Sequence, residues 1–173
     1  MVDSVVDFYS GGGNSERRTL DEILGWDDDR LEDVHDYIQW LFPSRQPSAV
    51  NAFAPLVTDD TVRAFARDAR LRDGLRHAFE RMLRFYGLQS QGGRVEIDPR
   101  EFVARSRVWL TPGNHNHLRL TRMMDSLSTL GLRAEALGLQ RCLIEDVASG
   151  SGQGSVSRLT IDFWLRAISA RKE

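Results

Sequence analysis

The sequence predicts an all-α fold, an irregular single-domain bundle of about six to eight helices. Apolar residues recur at helical spacing in several separate stretches, and capping residues and Gly or Pro breakers punctuate those stretches. Only residues 94–97 read as extended chain. A chain of 173 residues is long enough to close around one core without disulfides or metals.

Residues 1–18 read as an irregular lead, because Gly11-Gly12-Gly13 followed by Asn14 and Ser15 disfavours a helix. This glycine run is a turn and not a phosphate loop, since no Gly-Lys-Ser/Thr follows it. The helical domain is expected over 19–170. Its first strong helix spans 27–42, with Asp27, Asp28 and Asp29 as cap and negative first turn, and with Leu31, Val34, Ile38 and Leu41 as stripe. Pro43 ends it, and the three prolines of 43–55 make a defined non-helical crossover.

Thr58 opens the next helical region, in which a break near Arg67 or Asp68 is one option. The run Leu71, Leu75, Ala78, Phe79, Met82, Leu83, Tyr86 is the clearest helical period, closed by Gly87. Gln91 to Gly93 is a turn, and Asp98-Pro99-Arg100-Glu101 reads as a capping box. The following helix carries Phe102, Val103 and Trp109. Another begins near Asn116 with Leu120, Met123, Met124 and Leu127, capped by Asn114 or Asn116, and a third follows Gly131. Residues 149–155 form a Gly/Ser-rich loop, and a last helix with Ile161, Trp164, Leu165 and Ile168 docks back on the core.

Charge is unevenly spread. Residues 1–36 hold eleven acids against three arginines, and residues 58–133 hold fourteen arginines against nine acids. The acidic segment is expected to pack on the basic middle. The alternative is a basic face for an anionic partner. The near-neutral net charge of −2 and the lack of aromatics among the arginines argue against nucleic acid. A single cysteine, Cys142, lies in an apolar stretch, as expected of a reduced, cytoplasmic protein. No apolar run is long enough to insert in a membrane. Nearly all basic residues are Arg, with one Lys at 172, which points to a GC-rich bacterial genome.

Chemistry-bearing residues are few. His115-Asn116-His117 lacks the third and fourth ligands of a zinc site and reads as a helix start. His35, Asp36 and Gln39 form a polar strip that suits a buried network, a ligand wall or, with His35 as base, an enzyme site. No catalytic residue, metal ligand or cofactor is assigned.

The segment HDYIQWLFPSRQPSAVNAFAP at 35–55 resembles the signature of the opioid growth factor receptor conserved region. Asp7-Phe8-Tyr9, Trp26, MLRFYGL at 82–88, NHLRLTR at 116–122 and Phe163-Trp164 extend the likeness to roughly residues 7–169. The resemblance implies a helical domain, binding of an enkephalin-type peptide and restraint of cell proliferation from a nuclear-associated location. The expected function is a non-enzymatic module that binds a peptide or protein partner, with a groove between helix 27–42 and the 43–55 loop. The candidate ligand-binding residues are His35, Tyr37, Gln39, Trp40 and Asn51, joined by Asn116 and Arg119. The alternatives are an enzyme with His35 or His117 as base, or an anionic-partner site in the arginine-rich middle.

Overall fold

A computed structural model describes residues 3–48, 51–91 and 93–168. Among them are ten α-helices in chain order: α1 (Ser4–Tyr9), α2 (Leu20–Leu24), α3 (Asp28–Asp33), α4 (Ile38–Leu41), α5 (Asp59–Arg67), α6 (Ala69–Tyr86), α7 (Phe102–Trp109), α8 (Asn116–Thr129), α9 (Arg133–Arg141) and α10 (Arg158–Arg166). A π-helical stretch, Cys142–Ser151, continues α9. One antiparallel hairpin, β1 (Leu88–Gln91) and β2 (Arg94–Ile97), pairs Leu88 with Ile97 and Gln91 with Arg94. The fold is mostly helical, as the sequence predicts, with more and shorter helices.

The extra helices have identifiable causes. In the expected irregular lead, Asp3 accepts hydrogen bonds from the amides of Val5 and Val6 and so starts α1. Its buried Val5, Phe8 and Tyr9 pack on the bundle, and the Tyr9 hydroxyl donates to the Leu41 carbonyl. The helix expected over 27–42 is two helices. Val34 is extended (φ −89°, ψ 131°), because the carbonyls that would continue α3 are taken by another partner, described below. The option of a break near Asp68 is realised: Asp68 is extended and its side chain caps α6.

The longest helix, α6, is central. It packs on α1, α2, α5, α7 and β1, burying among others Leu71, Leu75, Phe79 and Met82. Each such side chain fully removed from water contributes about 1.5–3 kcal/mol. Gly87 closes α6 at φ +71°, and a Cβ there would stand 2.6 Å from the Phe102 Cα. Only glycine meets both demands.

The predicted capping box at Asp98 does not form. The Asp98 amide is already bound to the Gly87 carbonyl (3.0 Å), so Glu101 turns to Arg105 (3.7 Å) and α7 starts at Phe102. Strand β1 escaped the sequence reading because three of its four residues are polar; backbone pairing to β2 defines it. The loop expected from 149 is π-helical as far as Ser151, with the backbone kinked at Gly150.

The acidic N-terminal region packs on the basic middle, as expected. Asp28 pairs with Arg81 (2.8 Å) and Arg105 (2.5 Å), and Glu32 faces Arg119 (3.6 Å).

Candidate functional site

The carbonyls at the end of α3 point at α8. Arg119, only 5% exposed, donates to Leu31 O (3.0 Å), Val34 O (3.0 Å) and Glu32 O (3.4 Å). Its guanidinium also lies over the Tyr37 ring and donates to Asn116 Oδ1 (3.2 Å). One buried arginine therefore caps α3, turns the chain at 34–37 and ties that turn to α8. An unpaired helix end would otherwise leave buried carbonyls without partners. Asn116, fully buried, accepts from the Tyr86 hydroxyl (3.2 Å) and donates to Glu32 Oε2 (3.0 Å). Asn114 supplies the α8 cap, accepting from the Asn116 amide at 3.0 Å.

A groove of about 760 Å³ opens beside this framework, within the size range of ligand pockets. Its walls are α4 with the start of the following loop, the outer face of α8, and α10. His35, Ile38 and Gln39 line it on one side and Leu118, Thr121 and Arg122 on another. Phe163, Arg166 and Ala167 close the third. Leu118 is 62% exposed and Phe163 42% exposed, both facing the space.

Its polar groups are differently occupied. Ser44 Oγ donates to Asp125 Oδ2 (2.8 Å). Arg122 Nη1 donates to the Phe42 carbonyl (3.3 Å), and burial holds its guanidinium pKa below the usual value. At the mouth the His35 and His115 rings lie 5.1 Å apart, and His115 Nε2 is 3.2 Å from Glu32 Oε1. Partial burial, and then the neighbouring Arg119 charge, lower the His115 pKa despite Glu32.

The structure divides the residues singled out from the sequence. His35, Gln39 and Arg119 line the groove together. Gln39 closes the 35–39 turn, its amide donating to Asp36 O (3.0 Å) and His35 O (3.2 Å). Tyr37 lies wholly in the core, its hydroxyl on Leu31 O (2.9 Å) and its ring edge-on to Trp26. Trp40 is likewise buried against Phe8, touching a separate depression of about 770 Å³ bounded by residues 52–56. Asn116 is structural. Asn51 shapes a turn in the loop, accepting from the Phe53 amide (2.9 Å), and does not line the groove.

Sequence reading missed Leu118, Arg122, Phe163 and Arg166. A signal was present. Leu118 falls off the stripe of Leu120, Met123 and Leu127, and Phe163 falls off that of Ile161, Trp164 and Ile168, so each helix carries an apolar residue its core does not use.

Of the candidate bases and nucleophiles, His35 lines the groove, while His117 and Cys142 are enclosed. His117 is 4% exposed, edge-on to Trp109 and Trp164, and burial lowers its pKa. Cys142 is buried and its thiol is pushed up to about 12, chiefly by that burial. The Ser44 hydroxyl serves a carboxylate and not an imidazole. Among the described residues, no group of three or more His, Cys, Asp or Glu could hold a metal ion, and no helix is long and apolar enough to cross a membrane.

The described residues form a mostly helical scaffold with an amphipathic groove between α4, α8 and α10. The chain matches the family model of the opioid growth factor receptor (OGFr) conserved region over residues 13–173, and it belongs to that family. It is 36% identical to the opioid growth factor receptor of Rattus norvegicus over 159 residues, covering 89% of this chain and 27% of the relative. The Homo sapiens receptor is 34% identical, with 89% and 23% covered. Opioid growth factor receptor-like protein 1 of Mus musculus is 28% identical, with 89% and 34% covered. The chain thus spans about a quarter to a third of the length of these curated relatives. They are vertebrate proteins and lend no support to the bacterial source suggested by arginine usage. No solved structure matches the chain.

Proposed function

We propose that this domain is a non-enzymatic module that binds a peptide or protein segment in the groove between α4, α8 and α10. The observation that carries the reading is the pair Leu118 and Phe163, large apolar side chains held exposed inside one depression. Apolar surface of this kind, rimmed by polar groups, marks recognition sites more often than bare solvent-facing surface. The surrounding framework is rigid, since Arg119 and Asn116 lock the turn at 34–37 to α8. A preformed groove loses little ordering entropy on binding.

The relatives are named as receptors for opioid growth factor, and we extend that ligand class to this groove. Titration of isotope-labelled protein with an enkephalin-type peptide tests it. Shifts should centre on Leu118, Phe163 and His35, and Leu118→Arg should abolish them. Shifts confined to the 52–56 depression, or unchanged by Leu118→Arg, would move the site elsewhere.

A further inference from the structure

On the reading of the groove as a peptide site, we infer that it favours a peptide carboxylate, from an Asp or Glu side chain or the peptide's own C-terminus, lying about one helical turn from a bulky apolar side chain. The basis is a repeated arrangement on two walls. On α8, Leu118 precedes Arg122 by four residues; on α10, Phe163 precedes Arg166 by three. Residues three or four apart lie on one helix face, about 5–6 Å between Cβ atoms. All four line the groove. Each wall therefore offers an apolar patch with a guanidinium one turn away.

The charges are free to take a partner. Among the described residues, neither Arg122 nor Arg166 forms an ion pair. Some other arginines are matched, as in Arg45 with Asp59 (2.8 Å), Arg76 with Asp73 (2.7 Å) and Arg105 with Asp28 (2.5 Å). Arg122 is partly buried, with one carbonyl as acceptor and the nearby Asp125 charge offsetting part of its lost hydration. The acid lining the groove is Asp125, which already accepts the Ser44 hydroxyl. A carboxylate offers the planar acceptor pair that suits a guanidinium. The apolar floor of Ile38, Leu118, Phe163 and Ala167 suits aliphatic or aromatic side chains. A nucleic acid would need several stacking platforms, and Phe163 is the single aromatic ring outside the histidines here.

The test is selection from a random peptide display library on the folded protein, repeated on Leu118→Arg, Arg122→Gln and Arg166→Glu. Arg166 is exposed, so Arg166→Glu keeps the test informative even if Arg122→Gln impairs folding. Peptides selected on the parent should place Asp or Glu, or their own C-terminal carboxylate, beside Leu, Ile, Phe, Met or Trp, and amidating the C-terminus tells the two sources apart. Their affinity should fall about tenfold on Arg166→Glu and weaken as salt rises. A selected peptide with Lys in place of its acid should regain binding on Arg166→Glu. Enrichment of apolar residues with neither carboxylate required, lost on Leu118→Arg, overturns the charge inference and leaves the peptide site standing. Peptides that bind parent and Leu118→Arg alike overturn both. Capture of a single-stranded oligonucleotide in place of acidic peptides, through the same arginines, overturns the inference as well.

Discussion

Arg119 and Arg122 sit one turn apart on α8, yet the structure uses them in opposite ways. Arg119 is enclosed, with three backbone carbonyls, an amide oxygen and the Glu32 carboxylate around it. Arg122 looks into the groove with a single 3.3 Å carbonyl contact. The neighbouring residues follow the same division: Asn116 and Leu120 are enclosed with Arg119, while Leu118 is exposed with Arg122. The inner face of α8 is occupied by building the molecule; the outer face is left able to bind something else. Polarity alone does not mark function, because the most polar buried cluster here is a helix cap.

That division can be broken or sharpened by mutation. Arg119→Ala should have the largest effect, about 3–5 kcal/mol of lost stability, since it strands the carbonyls at the end of α3 and removes the buried charge facing Glu32. Urea unfolding measures it, and a loss below about 1 kcal/mol would mean the cap is dispensable. Trp40→Ala should cost a similar amount, about 3–5 kcal/mol, because the ring packs on Phe8 inside the core. Were Trp40 a recognition residue, stability would hold and binding alone would fail.

A smaller effect concerns pH. Burial lowers the His117 pKa, and burial together with Arg119 lowers that of His115, so the folded state binds both protons less readily than the unfolded chain. The unfolded chain takes up those protons near 6.5. Stability is therefore fully present above that pH and falls as pH drops from there toward the folded-state values. Melting temperatures across this window should decline, and His117→Phe should flatten the slope while keeping ring packing between Trp109 and Trp164. A slope unchanged by His117→Phe would place the titration elsewhere. Least of all should Leu118→Arg affect folding, within about 0.5 kcal/mol, as expected of an exposed site. A loss well beyond that would return Leu118 to the core and remove the groove's floor.

The signature at 35–55 shows where sequence reading succeeds and where it stops. Tyr37, Ile38, Trp40, Leu41 and Phe42 are all buried, so the residues that made the kinship legible are packing residues. Tyr37 is wholly enclosed, while Trp40 packs in the core and also lines the separate depression at 52–56. Residues 27–42 looked like one helix because Leu31, Val34, Ile38 and Leu41 keep helical period. The interruption comes from an arginine more than eighty residues away, which no local pattern encodes. Leu118 and Phe163 were missed, although each falls off its helix's stripe and so left a local signal.

Periodicity, capping residues and breakers determined from the chain alone that the protein is a mostly helical domain, and the dense aromatic motif determined its family. These are short-range properties, set by the spacing of side chains along one segment. Tertiary structure decided which polar residues are enclosed, that α3 ends at Asp33, and that Leu118, Arg122, Phe163 and Arg166 share one groove. Those outcomes depend on which distant groups satisfy one another's hydrogen bonds on burial, and that is known only when the helices have packed.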